Sequence, residues 1–437
     1  MAHAKHLGIR RPFRTSVALR LAALLAATPA WAAGTWIVDD SGGPGVNFTS
    51  IPPAIAAASV GDKIFVRAGS YAAFTFNKPL VIRGEPGVNV AGNVLIDGLA
   101  VGTSSALSSC SLSTLVVQNC AGGVLLEALT FSSGANPLSE FVLVDNCDDV
   151  RLRACSILGG DDPMGGYTTA IALRVANSRV EIVNSTLRGQ IGEGLWACGF
   201  PEAGGTGLMC DFGSRVHVAF SSIQGGEGGE LESCGFGSSG GNGGAGVLVV
   251  AGAEVILAGD SSNQIHGGKG GNGWLSNCAG GGAGHGGDGL KSFGSARYSG
   301  VTFLGGTSAC ASRVGAAIAV AGTGSAVPAT PNDPTLALLG FEPGLSFNVT
   351  LSAPPGSVAH LWVGRTMFAH PSVGIVIELL TAKARLYSLG VVPASGVITA
   401  NVDLPQLASG FILIAQADAL LPSGETRRTN SQTMTVR

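Results

Sequence analysis

Val116-Val117-Gln118-Asn119-Cys120, Leu143-Val144-Asp145-Asn146-Cys147 and Arg174-Val175-Ala176-Asn177-Ser178 are three copies of one phrase, an apolar alternation closed by asparagine and then by a thiol or hydroxyl. Weaker copies follow at Phe212-Gly213-Ser214, Ala251-Gly252-Ala253 and Phe293-Gly294-Ser295. Successive copies stand roughly 27 to 42 residues apart, the spacing of a solenoid. A second phrase trails the first, as Ser156-Ile157-Leu158-Gly159, Ser185-Thr186-Leu187-Arg188-Gly189 and Ser221-Ser222-Ile223-Gln224-Gly225, and an insertion of variable length comes after it. The interval grows only in that insertion, so the repeat specifies architecture and leaves one loop free to vary.

Side chains on stacked strands alternate with period two. Aligning Val150-Arg151-Leu152-Arg153 with Val180-Glu181-Ile182-Val183 and Val216-His217-Val218-Ala219 places Val150, Val180 and Val216 inside, with Leu152, Ile182 and Val218. Arg151, Glu181 and His217 then form an outward ladder, and Glu127 falls beside Arg153. Opposite charges on neighbouring strands support register by a few tenths to about 1 kcal/mol each, so this reads first as a solvated stabilising ladder. Asn119, Asn146 and Asn177 fall at one corner as an asparagine ladder, whose amides bond along the stack.

Ahead of the repeats, Trp36-Ile37-Val38 reads as a strand, 54–59 as a short amphipathic stretch, and Lys63-Ile64-Phe65-Val66 and Leu80-Val81-Ile82 as further strands. A helix there covers the unpaired mouth of the stack. Asp39, Gly42, Phe48, Ile51, Ala54, Ile55, Ala58, Gly61, Asp62, Ile64, Val66, Gly69, Tyr71, Lys78, Leu80, Ile82 and Gly84 occupy the opening-turn pattern of the pectin-lyase-like family, which this chain resembles closely there and loosely to about residue 310. The resemblance implies a secreted, bacterial, right-handed parallel β-helix with an N-terminal capping helix. The matched residues are architectural, and the fold carries no activity with it.

Arg10, Arg11, Arg14 and Arg20, the apolar run 21–27 and Ala30-Trp31-Ala32 read as a secretory signal over 1–32. No later stretch reaches the about 18 apolar residues of a membrane span. The chain has 437 residues, 68 of them glycine, with 12% charged and 46% hydrophobic, a composition of tight turns rather than disorder. A net charge of −3 offers no basic stripe for a phosphate backbone, which argues against nucleic acid as a partner.

Nine cysteines in an exported chain suggest disulfides. Cys198, Cys234, Cys278 and Cys310 recur in the variable loops and are the candidates for rung-to-rung bridges, whereas Cys120 and Cys147 read as buried stacked thiols. The glycine-rich insertions echo each other, Ile223 to Val247 against Ile265 to Leu290, but lack the Gly-Gly-x-Gly-x-Asp order of calcium-binding nonapeptides. They read as polar excursions that tolerate length changes. Residues 33–310 are thus taken as the β-helix and 311–334 as a linker. Residues 335–437, with about eight short strands between Pro and Gly turns, are taken as a β-sandwich accessory domain.

The best cluster for chemistry is Asp145, Asp148 and Asp149 with Arg151 and Arg153, joined by Asp161 and Asp162 in the next loop. Carboxylates beside arginines suit calcium and an acidic sugar, as the lyases and paired-carboxylate hydrolases of the resembled family use them. Against this, Asp148-Asp149 sits at a corner where aspartates bond locally, and the arginines already have ladder partners. Trp196 and Trp274, each near a loop cysteine, are candidate contacts for a glycan or protein. The sequence therefore favours a secreted or cell-surface structural and interaction protein, adhesion-like or glycan-contacting, whose partner is a polysaccharide or a surface protein. Its alternative is a polysaccharide lyase or glycoside hydrolase, with calcium as the one conceivable cofactor.

Overall fold

The computed structural model describes residues 34–131, 140–159, 171–194, 201–230, 239–258, 263–273, 282–299, 301–328, 335–341, 346–364, 367–369, 377–379, 385–403, 412–422 and 426–435. Each repeat lays down three short strands, and equivalent strands pair in parallel with the next repeat. The first face runs in sequence order from Thr35–Val38 through Asp149–Arg153, Arg179–Val183 and Arg215–Ala219 to Ser325–Pro328, 11 strands in all. The other two faces belong to one 16-stranded sheet that forks at Ser111–Gln118, whose start pairs with Thr130–Phe131 and whose end pairs with Glu140–Asp145. The trailing phrase builds one arm, from Ser156–Leu158 to Thr302–Leu304, and the leading phrase the other, from Ile171–Ala176 to Ile318–Val320. This is the parallel β-helix.

Val150 pairs with Val180 and Val180 with Val216, and all three are buried with Leu152, Ile182 and Val218, as period-two alternation requires. At the opening end the helix Ile51–Ala57, with proline in its first turn, buries Ile51, Ala54 and Ile55 over the first rung. Asp62 ties that rung together, accepting from Trp36 Nε1 at 3.0 Å and from the Ser59 amide at 2.8 Å.

The corners are made by single left-handed residues. Asn119, Asn146 and Asn177 have φ of 54°, 52° and 43°. Asparagine tolerates this region because its short amide bonds locally. Their side chains form a continuous ladder: Asn177 donates to Asn146 at 3.1 Å, Asn146 to Asn119 at 3.0 Å, and Asn119 to Asp97 at 3.1 Å. Asn146→Ala is expected to cost about 2 kcal/mol, from left-handed strain plus two lost amide bonds, and Asn146→Gly about half as much because the strain is absent. Urea unfolding of both variants checks the order.

The residue after each corner turns inward and serves the backbone. Ser178 Oγ accepts from the Cys147 amide at 2.9 Å and donates to the Ala176 carbonyl at 2.6 Å. Cys147 and Cys120 hold the equivalent places one and two rungs earlier, each thiol donating to the carbonyl two residues back at 3.2 Å. Both are free and buried, so they stand in for serines in this column. Interaction between the neighbouring thiols lowers the Cys120 pKa and, with burial, raises that of Cys147.

The glycine-rich insertions are not loose excursions. They pack as two layers of extended segments beside the coil. Residues 188–194, 225–230, 267–273 and 305–308 form one layer, linked by Gly192 N to Glu227 O, Gly228 N to Lys269 O and Gly270 N to Thr307 O at 2.8, 2.8 and 2.9 Å. Residues 201–207, 239–246, 282–289 and 313–317 form the other, linked by Gly204 N to Asn242 O, Gly243 N to His285 O and Gly286 N to Arg313 O at 2.7, 2.8 and 2.7 Å. Between the layers the bonds zigzag from Gly226 to Gly205, Gly244 to Gly226, Gly268 to Gly244 and Gly287 to Gly268, at 2.7 to 2.8 Å. The Gly-Gly-x period is three, that of a polyproline II turn. One glycine of each triplet bonds within its layer, the other across it, and the third residue faces out. Glycine is required by close approach: a Cβ on Gly226 would stand 1.8 Å from the Gln190 carbonyl oxygen.

One boundary differs from expectation. The parallel coil does not end at 310, because Ile318–Val320 and Ser325–Pro328 pair with Leu290–Ser292 and Ser295–Ser299 inside the stretch taken as linker. The small and proline-marked composition there reflects the closing rung, since Ser325–Pro328 is the last strand of the first face among the described residues. Beyond it the strands are antiparallel. Thr335–Phe341, Ser346–Ser352 and Val397–Asp403 form one sheet, and Arg385–Val391, Val358–Gly364, Ile412–Leu420 and Thr426–Thr435 another. Val349, Leu351, Leu361, Val402, Ala415 and Ala417 are the buried core of this β-sandwich.

Candidate functional site

The outward ladder exists in the register the sequence dictates, and it is buried. Arg151 pairs with Glu181 and Glu181 with His217, on the side of the first face that points away from the coil's interior. Yet Arg151 is 3% exposed and Glu181 and His217 are 6% exposed, so the expectation of a solvated ladder is corrected. Nothing in the strand pattern marks this, because outward residues on a covered face alternate like those on an open one.

Asp149 and Arg151, two residues apart, face the same side. Arg151 Nε and Nη2 donate to the two carboxylate oxygens of Asp149 at 3.0 and 3.1 Å, a fork-to-fork pair. Glu181 Oε2 lies 3.8 Å from Arg151 Nε, and Glu181 Oε1 lies 3.9 Å from His217 Nδ1. Burial raises the Asp149 pKa, while the Arg151 charge and hydrogen bonds oppose that rise. Arg153 and Glu127 stand beside this line, 3.8 Å apart, as the alignment requires. The arrangement is a row of acid, base, acid and imidazole in which Asp149 and Arg151 are hydrogen-bonded to each other and Glu181 lies within ion-pair distance of Arg151 and His217. It links successive rungs of the first face.

The rest of the candidate cluster does not join this row. Asp145 ends the strand Glu140–Asp145 half-buried, and its carbonyl accepts from the Asn119 amide at 3.0 Å. Asp148 is exposed at the corner, held by its backbone amide to Cys120 O at 2.9 Å. Asp161, Asp162, Trp196, Trp274, Cys198, Cys234 and Cys278 lie outside the described residues, as does the segment taken as a signal. Cys310 is buried and disulfide-bonded. Among the described residues no three His, Cys, Asp or Glu side chains converge as a metal site, and no helix is long and apolar enough to cross a membrane.

A second ion group, not anticipated from the sequence, sits on the leading-phrase face. Arg174 donates to Glu140 at 2.9 Å and to Asp211 at 2.7 Å, bridging three rungs. The Arg174 hydrogen bonds hold the Asp211 carboxyl below its ordinary value. The signal was available in Glu140 and Asp211 flanking Arg174 at successive repeats, but one falls at a strand's start and the other just past a strand's end.

No family model and no curated protein matches this chain. Among solved structures it is similar to the receptor-binding protein of bacteriophage Det7, a podoviral tailspike in a myovirus, at 10% identity and a TM-score of 0.17, covering 96% of this chain and 100% of that one. At that score the fold rests on the chain's own parallel sheets.

Proposed function

We propose that this chain is an extracellular β-helix of the pectin-lyase-like kind that serves as a structural and interaction protein, adhesion-like or glycan-contacting. The observation that carries the reading is the Asp149–Arg151 fork, which engages the best acid and base of the candidate cluster with each other, buried, beside Glu181. General acid and base catalysis needs such groups within reach of substrate protons. The glycine layers and the coil together make a long, rigid body suited to presenting surfaces. The loop cysteines Cys198, Cys234 and Cys278 are proposed to bridge neighbouring tips of those layers, next to Cys310.

Incubation with acidic polysaccharides, with and without calcium, tests this reading. No turnover is expected from the folded chain. Turnover abolished by Asp148→Ala, an exposed position whose loss leaves the circular dichroism spectrum intact, would replace it with the lyase or hydrolase alternative.

A further inference from the structure

Cys110, Cys120, Cys147, Cys155 and Cys210 are free and buried, but their columns differ. At the asparagine corner Gln118 pairs with Asp145, and the Cys120 carbonyl accepts from the Asp148 amide at 2.9 Å, so Cys120 and Cys147 are vertical neighbours. At the next corner of the rung the Cys110 carbonyl accepts from Thr130 at 3.0 Å and the Leu129 carbonyl from Ser156 at 2.8 Å. Leu129 therefore separates Cys110 from Cys155. Cys210 pairs with Val175 and Val249. Among the described residues, only Cys120 and Cys147 are free thiols on adjacent rungs.

Adjacent parallel rungs lie about 4.8 Å apart, within the Cα separation that a disulfide spans, whereas two rungs, about 10 Å, exceed it. Cys147 Sγ reaches back to Val117 O at 3.6 Å, and Cys120 Sγ contacts Gln118 O at 3.2 Å, so both sulfurs lie against carbonyls of one strand end. In the matching places Ser185 and Ser221 accept the amides of Cys155 and Ser185 at 3.1 and 3.0 Å. Sulfur is a weak acceptor, so a thiol is the poorer choice for that task alone. Stacked Cβ atoms stand one rung apart, slightly beyond the spacing of a relaxed disulfide, so a bond here draws the corner in and stays reducible.

We infer that Cys120 and Cys147 form a reversible rung-to-rung disulfide, a redox-operated brace of the asparagine corner. Cys120, the thiol whose pKa its neighbour lowers, attacks a small disulfide oxidant as the thiolate and expels one thiolate from it. Cys147 then gives up its proton and displaces the second. One S–S bond breaks and one forms, and the oxidant leaves as two thiols carrying the two electrons and two protons. Cys120 and Cys147 are 0% and 2% exposed, so the exchange needs local opening of the corner, whose asparagines lie at the surface. An extracellular chain meets such oxidants, and for that supply alone the brace rests on the location proposed above.

The test equilibrates the intact chain in excess oxidised or excess reduced glutathione, alkylates it and cuts it with trypsin and a glutamyl endopeptidase. Cleavage after Glu127 and Glu140 parts Cys120 from Cys147. A peptide pair linked through these two residues is expected in most oxidised chains and in few reduced ones, persisting in Cys110→Ser and absent from Cys147→Ser. Oxidation is expected to raise the melting temperature of the parent by about 5 °C more than that of Cys147→Ser. No linked pair, a link through Cys110 instead, a link that reduced glutathione leaves closed, or equal melting shifts in parent and Cys147→Ser would each overturn the brace. Those results leave the interaction role standing, because turnover of a polymer is what removes it.

Discussion

Arg151→Met is expected to destabilise the chain by about 3–5 kcal/mol, the cost of stranding a buried carboxylate whose cation has been taken away. Asp149 is 9% exposed, and both of its carboxylate oxygens are bonded to Arg151 in the native protein. Methionine keeps the volume of the side-chain stem, so the loss reports charge and not a cavity. The pH dependence follows from the sign of the shift. Burial already raises the Asp149 pKa, and removing Arg151 leaves that effect unopposed. A group with a raised folded-state pKa favours the fold below its unfolded value, near 3.8, and loses that contribution as pH rises through the folded value. The gap in stability between variant and parent should therefore be wide at pH 7 and narrow towards pH 4. Thermal melts across that range measure it, and Asp149→Asn combined with Arg151→Met should recover much of the loss at neutral pH.

Gly226→Ala is expected to cost about 3 kcal/mol or more, at or beyond the upper end for overpacking a core. The new methyl would lie 1.8 Å from a backbone oxygen of Gln190, and a backbone atom has no rotamer to retreat into. The same amide bonds to Gly205 O at 2.7 Å, so moving the segment also opens the joint between the layers. Glu227→Ala, one residue on, changes an exposed outward side chain and is expected to stay within about 0.5 kcal/mol. Calorimetry of the pair separates a packed sandwich from a flexible excursion, for which both substitutions would be silent.

The β-helix was legible because its rungs obey a period of two, and Val150, Val180 and Val216 announce their shared column through type alone. Asn119, Asn146 and Asn177 were legible as a ladder for a related reason: a left-handed corner narrows the choice of residue enough to leave a mark. The concealment of Arg151, Glu181 and His217 was not, because what covers a face lies elsewhere in the chain. The glycine layers had a visible period in Gly225-Gly226-Glu227-Gly228-Gly229-Glu230, but their hydrogen bonds join segments dozens of residues apart, and neither strand nor helix periodicity detects a repeat of three. Phe212 read only as a weak copy of the corner phrase. Its ring lies over Gly252 in the following rung, a neighbour in space whose place depends on the length of the intervening insertion.

The zigzag between the glycine layers also constrains how such a protein diverges. Because each segment bonds through every third amide to its neighbours, adding or removing one or two residues would turn the bulky positions Glu227, Lys269 or His285 into the seam, whereas three residues restore the phase. Length variants of these stretches should therefore survive in multiples of a triplet, and growth of the body in that direction is quantised.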